Sequence, residues 1–101
     1  MSYHNPEPRI IWDGPSLFQG VTIERFIDGT RYAERVPYNG LVSQALMAQL
    51  LGVSLMSVNN WVRARKVEHI KVSGQPSAIP LSEVKRVREI LAEERRLRSR
   101  Q

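Results

Sequence analysis

Hydrophobic and polar positions change rhythm twice along the 101 residues. Through residues 1–20 no period holds: Pro6, Pro8 and Pro15 interrupt the pattern together with Gly14 and Gly20. That stretch reads as an irregular arm anchored by Trp12 and Phe18. Val21–Ile27 and Thr30–Val36 are two β-rich runs flanking Asp28-Gly29, the residue pair favoured in a two-residue hairpin loop, and Pro37 and Gly40 close them off. From Leu41 the spacing becomes helical. Val42, Ala45, Leu46, Ala48 and Leu50-Leu51 predict a short helix, capped by Ser43 or Asn39 and broken at Gly52. Ser54 suits the cap of a second helix from Leu55 to about Arg65. Val67–Val72 predicts a strand, residues 73–77 a turn, and Ala78–Pro80 a short return strand. Ser82 and Glu83 open a last helix to Arg98, with Val84, Val87, Ile90 and Leu91 as its apolar stripe.

The window from Gln44 to Arg63 is the most specific part of the chain. Two helices that cross closely need a small residue at the crossing, and Ala48 supplies it. The turn between them needs a residue that tolerates positive φ, which is Gly52. Met47, Leu51, Val53, Val58 and Trp61 provide the apolar groups between the helices. These residues at this spacing predict a helix-turn-helix.

The pattern Leu50-Leu51-Gly52-Val53-Ser54, then Val58-Asn59-Asn60-Trp61-Val62, Ile70-Lys71-Val72 and Ile79-Pro80-Leu81-Ser82-Glu83-Val84 resembles the winged helix-turn-helix of excisionase and MerR-type DNA-binding proteins. The resemblance covers residues 41–91. It implies a recognition helix in the major groove and a wing near the minor groove or the backbone. Similar sequences place a glycine after the recognition helix, where this chain has Arg65-Lys66-Val67, and the wing residues Gln75-Pro76-Ser77 carry no charge. The expected fold is mostly α with small β: a winged helix-turn-helix over residues 41–101, preceded by a β-hairpin arm over residues 1–40.

Helical phase turns Val58, Trp61 and Val62 inward and leaves Leu55, Met56, Asn59, Asn60 and Arg63 outward. An asparagine amide matches the N6 and N7 edge of adenine, worth about 1–3 kcal/mol of discrimination per bidentate pair. Arginine and lysine suit guanine or phosphate. The expected DNA-contacting set is therefore Gln44, Ser54, Leu55, Met56, Ser57, Asn59, Asn60, Arg63, Arg65, Lys66 and Lys71. An ordinary solvated helix face is the plainer alternative for Asn59 and Asn60. Leu55 and Met56 fit thymine methyl groups, a protein partner or, first among these, packing against the N-terminal arm.

Charge supports an anionic partner. The net charge of +5 is uneven: residues 1–40 carry −1, residues 41–80 carry +3 and residues 81–101 carry +3. Arg95, Arg96, Arg98 and Arg100 form either a second phosphate-binding element or a solubilising end. With no cysteine, disulfides and thiolate chemistry are excluded. His4 and His69 offer no ligand spacing, Glu93-Glu94 reads as a solvated face, and no nucleophile–base set or phosphate-binding glycine loop can be assembled. No enzyme activity, metal or cofactor is expected. The N-terminal residues lack the basic start and apolar stretch of a secretion signal, so a cytoplasmic, nucleoid-associated protein is expected. The expected function is sequence-specific binding of double-stranded DNA, as a transcriptional regulator or a recombination or architectural factor acting as a homodimer or cooperative oligomer. Residues 1–40 would offer a protein-binding surface. An adaptor that uses the same fold to bind protein is the rival reading, and a DNA-packaging recognition subunit a third.

Overall fold

A computed structural model describes residues 6–14 and 18–99. The chain forms two units, Met1–Tyr38 and Asn39–Gln101. Among the described residues there are three helices and five strands, 38% helical and 30% strand, in two antiparallel sheets. The expectation of a mostly α chain is thereby overturned. The extra β structure comes from segments whose partners are distant in sequence.

The first unit is a three-stranded antiparallel sheet of β1 (Arg9–Trp12), β2 (Gly20–Ile27) and β3 (Thr30–Pro37), in the order β1-β2-β3. The hairpin falls where Asp28-Gly29 placed it, with Ile27 opposite Thr30 and positive φ at both loop residues, 52° and 83°, as a type I′ turn requires. The arm, expected to be irregular, supplies β1 instead: Ile10 pairs with Ile23 and Trp12 with Val21. Alternation sends Val21, Ile23 and Val36 to one face, where all three are buried. On the other face Arg31 Nε donates to the buried Glu24 carboxylate at 2.6 Å. At the base of the hairpin, a Cβ on Gly20 would lie 2.2 Å from the Val36 carbonyl oxygen, so the strands approach here as no side chain allows. The expected anchors Trp12 and Phe18 are both half-buried, Trp12 within β1 and Phe18 under the Arg35 guanidinium, 5.6 Å from its ring centre.

The second unit runs β4 (Leu41–Ser43), α1 (Gln44–Leu51), α2 (Leu55–Arg63), β5 (Ala78–Pro80) and α3 (Leu81–Arg98). The helix expected from Leu41 begins at Gln44. Leu41–Ser43 stays extended and pairs antiparallel with Ala78–Pro80, with Val42 opposite Ile79. Ser43 is the cap, its hydroxyl accepting the Leu46 N–H at 3.0 Å. The strand expected over Val67–Val72 is reduced to one bridge between Ile70 and Ala78. Ala78 belongs to the ladder with Ser43, Pro76 has no N–H to donate, and the chain turns at 73–75, with the Gln75 N–H on the Val72 carbonyl. The expected wing is thus a loop held at one rung. Helix α3 starts at Leu81, one residue before the expected cap, with its N–H on the Gly40 carbonyl at 2.9 Å.

The core of this unit is layered from every element. Met47, Val58, Ile79, Leu81 and Val84 are fully enclosed, and Ala48, Leu50, Leu51, Val62, Val67 and Val87 surround them. Trp61, expected in the core, is only half-buried. The stripe of α3 is narrower than its spacing suggested: Ile90 is exposed and Leu91 half-buried.

Candidate nucleic-acid interface

The chain bends by 119° between α1 and α2, within the range of helix-turn-helix pairs. The bend is built from local chemistry. At the end of α1, Gly52 takes φ +69°, its N–H meets the Gln49 carbonyl, and the Val53 N–H meets the Ala48 carbonyl at 3.0 Å. Those two bonds form a Schellman closure. Ser54 then caps α2, accepting the Ser57 N–H at 3.1 Å, while the two hydroxyls lie 3.0 Å apart. Ser54 and Ser57, expected at DNA, are therefore already engaged in holding the helix start.

Helix α2 ends in a second Schellman closure: the Arg65 N–H meets the Val62 carbonyl at 3.1 Å, and the Lys66 N–H meets the Trp61 carbonyl at 2.9 Å. The left-handed position that glycine usually fills is taken by Arg65, at φ +57°. A side chain there costs about 1–2 kcal/mol. The helix accordingly ends at Arg63, two residues before the sequence pattern suggested.

Along α2, Val58 and Val62 are buried, whereas Leu55, Met56, Asn59, Asn60 and Arg63 are all exposed. Their spacing of one, three, one and three residues makes a single continuous face. Leu55 and Met56 keep 49% and 72% of their surface in solvent.

Two recesses flank this face. The first, of about 330 Å³, is lined by Ser43, Gln44, Ala45, Leu55, Asn59 and Pro76, and so brings Gln44 together with Leu55 and Asn59. The second, of about 690 Å³, lies beyond the end of α2 between Arg65–Ile70 and Pro80, Glu83 and Arg86. Lys71 lies on the exposed loop outside both linings.

Glu83 and Arg86, outside the expected set, also bear on this face. The buried Glu83 carboxylate accepts the Glu68 N–H at 3.2 Å and pairs with Arg86, whose Nη2 also donates to the Lys66 carbonyl at 3.2 Å. The Arg86 hydrogen bond outweighs burial and, with the Glu68 N–H, holds the Glu83 carboxyl below the usual carboxylate range. This network ties the Arg65–Glu68 segment to α3, and so fixes the loop that follows the exposed helix. Its signal in the sequence was the i,i+3 spacing of Glu83 and Arg86 on a helix. His69, expected in a strand, is half-buried in the loop with Nδ1 3.2 Å from the Val67 carbonyl oxygen.

Among the described residues, no group of three or more histidine, aspartate or glutamate side chains is placed to hold a metal ion. Nor is any single helix among them long and apolar enough to cross a membrane. Compared with known proteins, the chain matches no family model, no curated protein and no solved structure.

Proposed function

We propose that this protein binds double-stranded DNA sequence-specifically, with α2 laid in the major groove. The observation that carries the reading is the exposed face of α2. It joins two apolar side chains, two amides and a terminal arginine on one stripe, beyond a 119° helix-turn-helix bend. An amide pair reads base edges, Leu55 and Met56 suit thymine methyl groups, and Arg63, Arg65, Lys66 and Lys71 supply phosphate contacts. The charge distribution is consistent with this: residues 39–101 carry all of the positive excess. The residue pattern shared with excisionase and MerR-type proteins is a second support. A transcriptional regulator or a recombination factor acting as a dimer fits a reading head this short, because one helix touches few base pairs.

Gel-shift titration against mixed genomic fragments at two salt concentrations tests it. With about four to five phosphate contacts, log affinity falls against log salt with a slope of about −3.5 to −4.5. Asn60→Ala relaxes sequence preference while retaining non-specific binding, whereas Arg65→Ala weakens all sequences about equally. Submicromolar binding with a slope near zero overturns the electrostatic footprint.

The rival reading, a protein-interaction adaptor, is favoured by one observation: the exposure of Leu55 and Met56. Absence of binding to any duplex, at either salt concentration, removes the DNA reading and leaves this one standing.

A further inference from the structure

Resting on the DNA reading, the geometry points to a specific base readout: we infer that the recess beside α2 receives the 5-methyl group of a thymine, and that the two amides at its rim select the A·T pair. The recess is lined by Ser43, Gln44, Ala45, Leu55, Asn59 and Pro76. Its walls divide by chemistry. Ala45, Leu55 and Pro76 are apolar yet exposed, which leaves hydrocarbon in water unless something covers it. Gln44 and Asn59 carry the only amide groups among the lining residues, and they come from different helices. The Ser43 hydroxyl already accepts the Leu46 N–H, and of the lining side chains only the two amides present a donor and an acceptor side by side in one planar group.

A carboxamide has one donor and one acceptor side by side, the complement of adenine N7 and N6 in the major groove. Guanine shows two acceptors there, and cytosine a donor without a methyl group. Only an A·T pair presents an amide-matching edge together with an apolar methyl. The occupant also fits the charge of the surroundings, because Asn59 and Arg63 lie four residues apart on the exposed face of α2 and place a cation where the backbone leaves the groove. Leu55 and Asn59 stand in the same relation one turn earlier. Methyl reader, amide and phosphate contact thus follow one another along a single helix line.

The same methyl chemistry is carried by 5-methylcytosine, and the experiment separates the two. Using the full chain, a preferred duplex is first selected from random sequence. Each thymine in it is then replaced singly by deoxyuridine, which removes the methyl group and keeps the pairing, and affinities are measured at fixed salt. At one or two positions the loss is expected to be about 3- to 5-fold, the worth of one buried methyl. Leu55→Ala weakens binding and abolishes that thymine-to-deoxyuridine difference, with circular dichroism confirming the fold. Asn59→Ala keeps the methyl effect but relaxes the preference for A·T at the same position. If selection succeeds and every deoxyuridine duplex binds as well as its thymine parent, the methyl assignment is overturned while the DNA reading stands. A gain seen only on methylating cytosines overturns the thymine assignment in favour of 5-methylcytosine. If no duplex is selected at all, the DNA reading falls, and this inference with it.

Discussion

In the sheet unit, order comes from strands paired edge to edge, and its buried apolar side chains, Val21, Ile23 and Val36, lie on one face. In the helical unit the backbone satisfies itself turn by turn, and five elements enclose a core centred on Met47, Val58, Ile79 and Val84. The sheet unit carries a net charge of −1, with Glu24 and Asp13 engaged inside it by Arg31 and Tyr38. The helical unit carries the whole positive excess, with its cations set mostly on exposed surface. A charged side chain inside a sheet meets a cross-strand neighbour, while one on a helix face meets the residue three or four positions away or solvent. The difference sets a sheet whose charges meet across strands beside a helical surface whose pairs, Arg86 with Glu83 and Arg96 with Glu93, form along one helix and leave α2 without an acidic residue of its own.

The sharpest way to break this comparison is to empty the helical core. Met47→Ala, at a fully enclosed position, should cost about 2–4 kcal/mol by urea denaturation. A cost under about 1 kcal/mol would mean that the core is loosely filled. In the sheet unit the corresponding weak point is a hydrogen rather than a side chain. Gly20→Ala should cost about 1–3 kcal/mol by overpacking against the Val36 carbonyl. Faster amide hydrogen exchange through β1 to β3 checks it, with the amides of α1 to α3 as the internal control.

A smaller effect tests the loop network. The folded Glu83 carboxyl holds its proton less tightly than in the unfolded chain. Its contribution is therefore complete above the unfolded carboxylate pKa and is lost as pH falls through the lower, folded value. Glu83→Gln should be less stable than the parent by about 1 kcal/mol at neutral pH, and the gap should close on acidification. Equal stability at pH 7, or a gap that widens in acid, would remove the carboxylate from this role.

The smallest effect runs the other way. Arg65→Gly relieves a left-handed arginine and should raise stability by about 0.5–1 kcal/mol, while DNA affinity falls for all sequences. Calorimetry beside gel shift measures both on one protein. A variant that is stabler and binds equally well would show that Arg65 has no part in binding.

What could be read from the chain was what is local. The Asp28-Gly29 turn, the Ser43 and Ser54 caps, the Gly52 break and the inward Val58 and Val62 all depend on neighbours within a few residues, and all are present. β1 escaped notice because Arg9-Ile10-Ile11-Trp12 shows no alternation and becomes a strand only by pairing across the loop before Gly20. β4 escaped for a related reason: its partner β5 is separated from it by two helices and a loop, and Leu41–Ser43 alone continues the helical spacing. Of the candidate site, the face of α2 was legible from its period. The recess was not, since Pro76 and Ala45 meet Leu55 only in the fold, and the αL position of Arg65 has no signature in a residue that rarely adopts it.

The close approach at Gly20 also bears on how the sheet finds its alignment. The hairpin is fixed at its tip by a two-residue loop and at its base by a site that admits only a hydrogen atom. Sliding one strand by a single residue would turn every apolar side chain to the wrong face. Sliding by two keeps the faces but puts Phe18 or Thr22, each with a side chain, opposite Pro37 where Gly20 now allows the close approach. The loop at the tip and the close approach at the base therefore favour the same single alignment of β2 with β3.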